Sequence, residues 1–600
     1  MNNVYQNVHK HCVLFHKATL NQKKKVLILS ILFFIESCIP AAQIYIISKL
    51  TDSISNVFQF GKLTENLIFF FSLNISLLVI SSFIIDWKML LIKRLNQNAD
   101  YYLEDMKAHK LMDTPVIYFE DTNNYNLLER ISGLGSKCIS TFVSLLGLLK
   151  NVFILISYLI LLVRINWSLG IVLVILIIPS LFIYLKASKD QYLQGFAQSL
   201  DVRRAGYLIN LFKDREAQQE LKIYNHGQFL LDKWKSLYWK TSNDQYKLTK
   251  SVTSKKRLFS NLTHLFNTFY FFGLIYFGTH DGMTIGEYIA YSSLFTSSMA
   301  GIISLVNDAG SIYGNSFVVE EFYDFVFCSK EKDYIEEASD QYEINLQDEI
   351  TVKNLSFQYP GQANSVLKDI SFSIKAGETV AIVGENGSGK STLAKCLIGY
   401  YEPTSGSVFY DHKKVTKKNA NKVWSKLTVL FQNYVKYEFT LVENVLFHRS
   451  NSLNDLNKLE RQNTFEDYNI ISKQLSAGKD SLLGRVYGNG TELSGGQWQK
   501  VALTRSLIKE ADIFLLDEPT SAMDPLSERK LFDLFFEMCS GKTAIIITHR
   551  LANCKKADKI IVLDKGAVVE FGDHASLLES RGVYAAMFTA QKEPFDLNVK

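Results

Sequence analysis

The apolar positions of this chain change their spacing partway along. Up to about residue 306 they gather in long unbroken runs, and beyond about residue 346 they fall into short runs separated by glycine-rich and charged turns. A helix that crosses a bilayer needs roughly 20 apolar residues. Runs of that kind lie at 26–48, 66–86, 142–163, 168–186, 258–278 and 285–306, and six spans are expected. Only Arg164-Ile-Asn-Trp167 separates the third run from the fourth, which predicts a tight hairpin in the membrane. The polar segments 87–141 and 187–257 keep helical apolar spacing, as in Tyr207, Leu208, Leu211, Phe212 and then Leu221, Tyr224, Phe229. They read as helices that continue out of the bilayer. After residue 346, apolar strands at Ile350–Phe357, Thr379–Val383, Asp512–Asp517 and Thr543–Thr548 alternate with helical stretches, the pattern of an α/β domain.

Charge sets the orientation. Lys88, Lys93, Arg94, Lys107, Lys110, Arg130 and Lys137 follow the second run, and a richer set ending in Lys255-Lys256-Arg257 follows the fourth. The opposite connections hold few basic residues, such as Lys62 and Arg164, so both termini and both long loops are expected in the cytoplasm. Glu36 and Pro40 interrupt the first run and belong toward the bundle interior, as structural features or as substrate contacts. A net charge of +5 on 600 residues, without a basic stripe interleaved with aromatics, gives no case for nucleic acid. The seven cysteines are scattered with no CxxC pair, which points to neither a zinc site nor a disulfide framework. The stretch ahead of the first run carries no cleavable-signal pattern.

The chemistry lies in the second half. Gly384-Glu385-Asn386-Gly387-Ser388-Gly389-Lys390-Ser391-Thr392 follows an apolar strand and opens a helix, the context that a phosphate-binding loop requires. Backbone N–H groups at the helix start form an anion nest, Lys390 reaches β and γ phosphates, and Ser391 suits Mg²⁺. Asp517 and Glu518 end an apolar strand, where unpaired burial would be expensive. Asp517 suits Mg²⁺ through water, and Glu518 is placed to polarise an attacking water. His549 ends a further strand and reads as a γ-phosphate contact, and Tyr359 as an aromatic for stacking on adenine. ATP and Mg²⁺ are the cofactors this set implies.

One stretch stays unexplained by these motifs. Thr491-Glu-Leu-Ser-Gly-Gly-Gln-Trp-Gln-Lys500 is a second flexible glycine turn, about a hundred residues beyond the first, with no acid–base pair or metal ligand of its own. The ordered set GENGSGKS, Gln432, LSGGQ, FLLDEPTSAMD and His549 resembles the nucleotide-binding domain of ABC transporters, and six runs ahead of one such domain is the pattern of half-size ABC exporters. The resemblance implies a six-helix, all-α transmembrane domain followed by an α/β P-loop domain. The divisions are then 1–22 as an N-terminal cytoplasmic segment, 23–310 as the membrane domain, 311–345 as linker, 346–590 as the ATP-binding domain and 591–600 as tail. It also implies a homodimer with two composite sites. Ser494, Gly495, Gly496 and Gln497 of one copy would face the partner's γ-phosphate, Asp524 would communicate across the joint, and Gln432 would join Ser391 and Asp517 at Mg²⁺. The segments 113–121 and 220–226 look like the coupling segments that such exporters dock beside the Gln432 loop.

The cargo is read from finer marks. LSGGQ continues as Trp498-Gln499-Lys500, and with Tyr118-Phe-Glu-Asp121 this resembles the nisin-type lantibiotic exporters. That implies a leader-bearing peptide substrate, a bacterial cytoplasmic membrane with its lipids, and a lanthionine synthetase complex as a further partner. Trp498 also reads as a simple packing substitution. Where the wider family has Glu, this chain has Gly488. Residues 1–25 are too few to build a cysteine protease around Cys12, so leader removal is expected to need another enzyme. The alternatives are a drug or lipid exporter of the same fold, and a gate or sensor that does not pump.

Overall fold

The computed structural model describes residues 2–61, 63–165, 200–281, 283–327, 346–447, 452–461, 465–485, 488–518 and 525–592, with 186, 189–190, 193–195 and 197–198. The chain divides into two units. One holds 1–114 and 122–329, the other 115–121 and 330–600.

The described part of the first unit is helical. Its helices are α1 (Asn2–Ala18), α2 (Lys23–Phe60), α3 (Glu65–Asp113), α4 (Thr122–Arg130), α5 (Leu134–Ile165), α6 (Arg215–Ile223), α7 (Gly227–Asp281) and α8 (Ile285–Phe327). Among the described residues, four helices are long and apolar enough to cross a membrane: α2, α3, α5 and α8. The run at 168–185 lies outside the described residues. The run at 258–278 is helical within α7 but is not among those four. Asn261, His264 and Asn267 dilute its apolar character. Large side chains on α2 and α3, such as Phe58, Phe69, Phe83 and Leu90, stay exposed, as a lipid-facing surface requires. α8 packs along α5, and Phe295 stacks on Tyr270 of α7 with ring centroids 4.2 Å apart. α8 runs on to Phe327, well into the segment read as linker, because Val319, Phe322 and Phe325 keep a buried helical stripe past residue 310.

Glu36 receives both Lys88, from α3, and Lys150, from α5 at 3.3 Å, and the Lys88 ammonium lies 4.3 Å from the Phe33 ring centroid. Of its two readings, the structural one is therefore met by named partners. α6 is capped by Asp214, whose carboxylate accepts from the Ala217 N–H at 2.8 Å.

The second unit is built on two sheets. A four-stranded antiparallel sheet has the order β2-β1-β4-β5, made of β1 (Glu349–Phe357), β2 (Leu367–Lys375), β4 (Ser405–Tyr410) and β5 (Lys413–Lys414). A six-stranded sheet has the order β10-β9-β3-β8-β7-β6, made of β3 (Thr379–Gly384), β6 (Leu427–Leu430), β7 (Ile513–Asp517), β8 (Thr543–Ile547), β9 (Lys559–Asp564) and β10 (Ala567–Gly572). All its pairings are parallel except β9 with β10. β3, β7 and β8 are buried along their whole length, which is why they read as continuous apolar runs rather than alternating ones. The helices that matter below are α9 (Lys390–Leu397), α10 (Gly495–Leu507), α11 (Pro525–Met538) and α12 (Val583–Lys592). α12 extends past residue 590, so the segment read as a tail begins inside a helix.

Candidate active site

Parallel pairing decides where the chemistry gathers. β3, β8, β7 and β6 are consecutive neighbours in one sheet, so their carboxyl ends open on one edge. From those ends come the phosphate-binding loop, His549, the pair Asp517 and Glu518, and Gln432.

The loop after β3 is shaped by glycine. A Cβ at Gly384 would meet the Leu563 carbonyl oxygen at 2.2 Å, and Gly389, with φ +103, stands at the N-cap of α9. Lys390 is buried and donates to the carbonyls of Gly384 at 3.1 Å and Glu385 at 2.9 Å. Burial holds its ammonium below the ordinary lysine range, and the Glu518 and Asp517 carboxylates partly offset this. The Ser388 hydroxyl is buried and has no hydrogen-bond partner among the described residues. An orphan polar atom inside an anion nest fits a phosphate oxygen. Glu385, Asn386 and Gly387 stand exposed at the loop crown. Thr392 bonds the Tyr359 hydroxyl at 3.0 Å, so the aromatic read as the adenine platform is tied to the phosphate-loop helix.

Two carboxylates follow β7. Ser391 donates to Asp517 Oδ1 at 3.2 Å. Burial pushes the Asp517 carboxyl up, against the pull of the Ser391 hydrogen bond. Glu518 is held from two sides: His549 Nε2 lies 2.5 Å from Oε1, and Gln432 Nε2 donates to Oε2 at 2.7 Å. Its backbone sits at φ +49, a left-handed conformation that strains a residue with a Cβ. The Glu518 N–H keeps that geometry by donating to the Ile547 carbonyl at 3.0 Å. Three residues singled out from sequence thus meet on one carboxylate.

The signature turn stands apart. Ser494 is the N-cap of α10, with a reciprocal capping box to Gln497: Gln497 N–H to Ser494 Oγ at 3.2 Å, and Ser494 N–H to Gln497 Oε1 at 2.9 Å. Ser494 and Gly495 are exposed, and Gly496 follows in the first turn. Among the described residues no hydrogen bond joins this turn to the phosphate loop of the same chain. Asp524 lies outside the described residues. Trp498 is 2% exposed in the core of the helical part, with Nε1 donating to Glu492 at 3.3 Å, so it packs. A side chain at Gly488 would meet open space.

Tyr401 is a residue that the sequence alone does not single out. It is fully buried, stacks on Phe357 and stands edge-on to Tyr359. The only signal was a Tyr-Tyr pair after a helix, which reads as core. Its hydroxyl reaches Glu120, in the 3₁₀ turn Val116–Glu120 that groups with this unit, and Ile117 of that turn packs on the same core.

Residues 367–521 match the ABC transporter family. The chain is 30% identical over 500 residues to the subtilin transport ATP-binding protein SpaT of Bacillus subtilis, covering 82% of this chain and 80% of SpaT. It is 27% identical over 594 residues to the nisin transport ATP-binding protein NisT of Lactococcus lactis subsp. lactis, covering 95% and 94%. A solved structure of a bacterial Atm1-family ABC exporter with ATP bound superposes with a TM-score of 0.79 at 20% identity, over 95% of this chain and 98% of that one.

Proposed function

The chain belongs to the ABC transporter family, and on that premise we propose that it exports a lantibiotic-type peptide across a bacterial cytoplasmic membrane as a homodimer with six spans in each copy. It is a multi-pass membrane protein with a cytoplasmic ATP-binding domain and ABC-type ATPase character. The observation that carries the catalytic reading is the Glu518 carboxylate gripped between Gln432 and His549. Similarity to SpaT and NisT that spans the membrane half as well as the ATP-binding half supports the peptide cargo.

In this reading the α9 N-terminus, the Ser388 hydroxyl and Lys390 take the ATP phosphates. Lys390 exchanges its loop carbonyls for phosphate oxygens, which lowers the cost of keeping its charge buried. Tyr359 stacks on adenine. Glu518 orients and deprotonates the attacking water, and His549 holds both that carboxylate and the γ-phosphate. Ser391 and Asp517 form an oxygen pair of the kind that a hard divalent cation takes, and Gln432 adds its amide oxygen. Mg²⁺ bound there would neutralise charge on the phosphate oxygens.

The partner copy supplies the turn Ser494–Gln497, whose exposed helix N-terminus is a second anion site. Closure of the two copies on ATP draws the cytoplasmic loops together and turns the cavity outward.

Two measurements on membrane-reconstituted protein test the reading. Glu518→Gln should bind ATP and lower turnover by about 10²-fold or more. Normal turnover would refute the catalytic assignment. A leader-bearing lantibiotic precursor should stimulate the ATPase of the native chain, because a ligand that prefers one cavity state shifts the cycle. If hydrophobic drugs or lipids stimulate it and the peptide does not, the cargo is of that other class.

A further inference from the structure

The last described helix reaches back to the catalytic edge. α12 is anchored where it starts: the N–H groups of Val583 and Tyr584 donate to the Glu570 carboxylate, and the Tyr584 hydroxyl bonds His574 Nδ1 at 2.8 Å. Tyr584 and Phe588 are buried with Leu551 and Cys554, two residues of the turn Leu551–Lys556 that comes after His549. Near its far end stands Gln591, exposed to solvent. Its side-chain amide makes two backbone hydrogen bonds: Nε2 donates to the His549 carbonyl, and Oε1 accepts from the Leu551 N–H at 3.0 Å. The two groups flank Arg550, whose side chain is held by Glu528 of α11.

We infer that Gln591 is a positioning residue for the ATPase reaction, fixing the backbone on which the His549 ring swings. His549 follows the last residues of β8, so its carbonyl has left the sheet ladder, and the Leu551 N–H opens a 3₁₀ turn without an intrahelical acceptor. A primary amide satisfies both at once. A carboxylate keeps only the acceptor, and an aliphatic chain keeps neither. With both bonds made, the main chain around His549 has one position, and the imidazole meets Glu518 from there. Without them the ring stays attached, but its placement against the carboxylate spreads, and small misplacements are expensive in rate. The C-terminal helix therefore helps to set turnover while touching neither nucleotide nor reacting atoms.

The inference rests on the assignment of His549 to the γ-phosphate contact, and the experiment separates the two. ATP turnover and KM are measured on the full-length reconstituted chain for His549→Ala, Gln591→Leu, Gln591→Glu and the double variant His549→Ala/Gln591→Leu. Because Gln591 is exposed, the single changes leave the core untouched. Gln591→Leu and Gln591→Glu should each lower kcat roughly five- to tenfold with KM for ATP unchanged. The double variant should be no slower than His549→Ala alone, because nothing is left to position. Full turnover in both Gln591 variants, or losses that multiply in the double variant, would overturn the role of Gln591 alone. Full turnover in His549→Ala would overturn the site assignment and the inference with it.

Discussion

The Tyr401 hydroxyl donates a 2.5 Å hydrogen bond to Glu120 Oε1, across 281 residues of chain. Tyr401 also stands edge-on to Tyr359, the aromatic read as the adenine platform, with ring centroids 5.6 Å apart. A short path therefore joins the Tyr359 ring to the turn Val116–Glu120 within one unit: Tyr359, Tyr401, Glu120. Burial and the Glu120 carboxylate push the Tyr401 phenol well above its ordinary value, so the group remains a donor at any physiological pH.

Tyr401→Phe removes that bond and keeps the ring stack. The loss should be about 1 kcal/mol, since Glu120 is exposed to water. Amide exchange over residues 116–120 should speed up about fivefold and lose its response to ATP. Exchange that still slows on adding ATP would show that another path carries the signal.

Asp517→Asn tests the buried carboxyl. Burial raises its folded pKa above the unfolded value of 3.8. Between the unfolded value and the raised folded one, the folded, nucleotide-free protein thus holds a proton that the unfolded chain has released. Its contribution to stability is full below the unfolded value and is lost as pH rises through the folded one. The Asn variant should lack this slope, melt higher than the native chain at neutral pH without nucleotide, and fail to turn over ATP. Calorimetry from about pH 4 to 7 checks it, and parallel curves for the two proteins would refute it.

Ser494→Arg should leave ATP binding intact and prevent ATP-dependent pairing of two copies. The capping box is lost at a cost of about 1 kcal/mol, and a bulky side chain fills the exposed turn. Cysteines introduced near Ser388 and Gly495 give the readout. Intermolecular cross-links that need ATP in the native background, and vanish in Ser494→Arg, are expected. Cross-links within one chain that ignore ATP would end the two-copy site.

Glu36→Ala strands Lys88 and Lys150 without their shared carboxylate in the membrane unit. Removing one partner of a partly buried ion cluster is destabilising by about 2 kcal/mol. The thermal midpoint in detergent should drop clearly, and Glu36→Ala with Lys88→Met and Lys150→Met should recover much of it. An unchanged midpoint in the single variant would return Glu36 to the substrate-contact reading.

Much of the site is legible in the chain because its parts are local. A phosphate-binding loop needs glycines, Lys390 and Ser391 in a fixed order between one strand and one helix, and that order is visible. Asp517 and Glu518 stand out at the end of an apolar run because carboxylates are expensive to bury unpaired, so a pair of them there points to a role. The capping box of Ser494 and Gln497 spans a single turn. What the tertiary structure alone decides is which strand ends become neighbours. The parallel register of β3, β8, β7 and β6 brings Gln432, Glu518 and His549 onto one carboxylate, and no local spacing encodes that. Trp498 reads equally as a family mark or a packing residue until its burial is seen. Tyr401 with Glu120, and Gln591 with His549, are partners distant in sequence, joined by side-chain reach after the core has formed. Periodicity reports which face of an element is buried. It does not report what the far end of a polar side chain meets there.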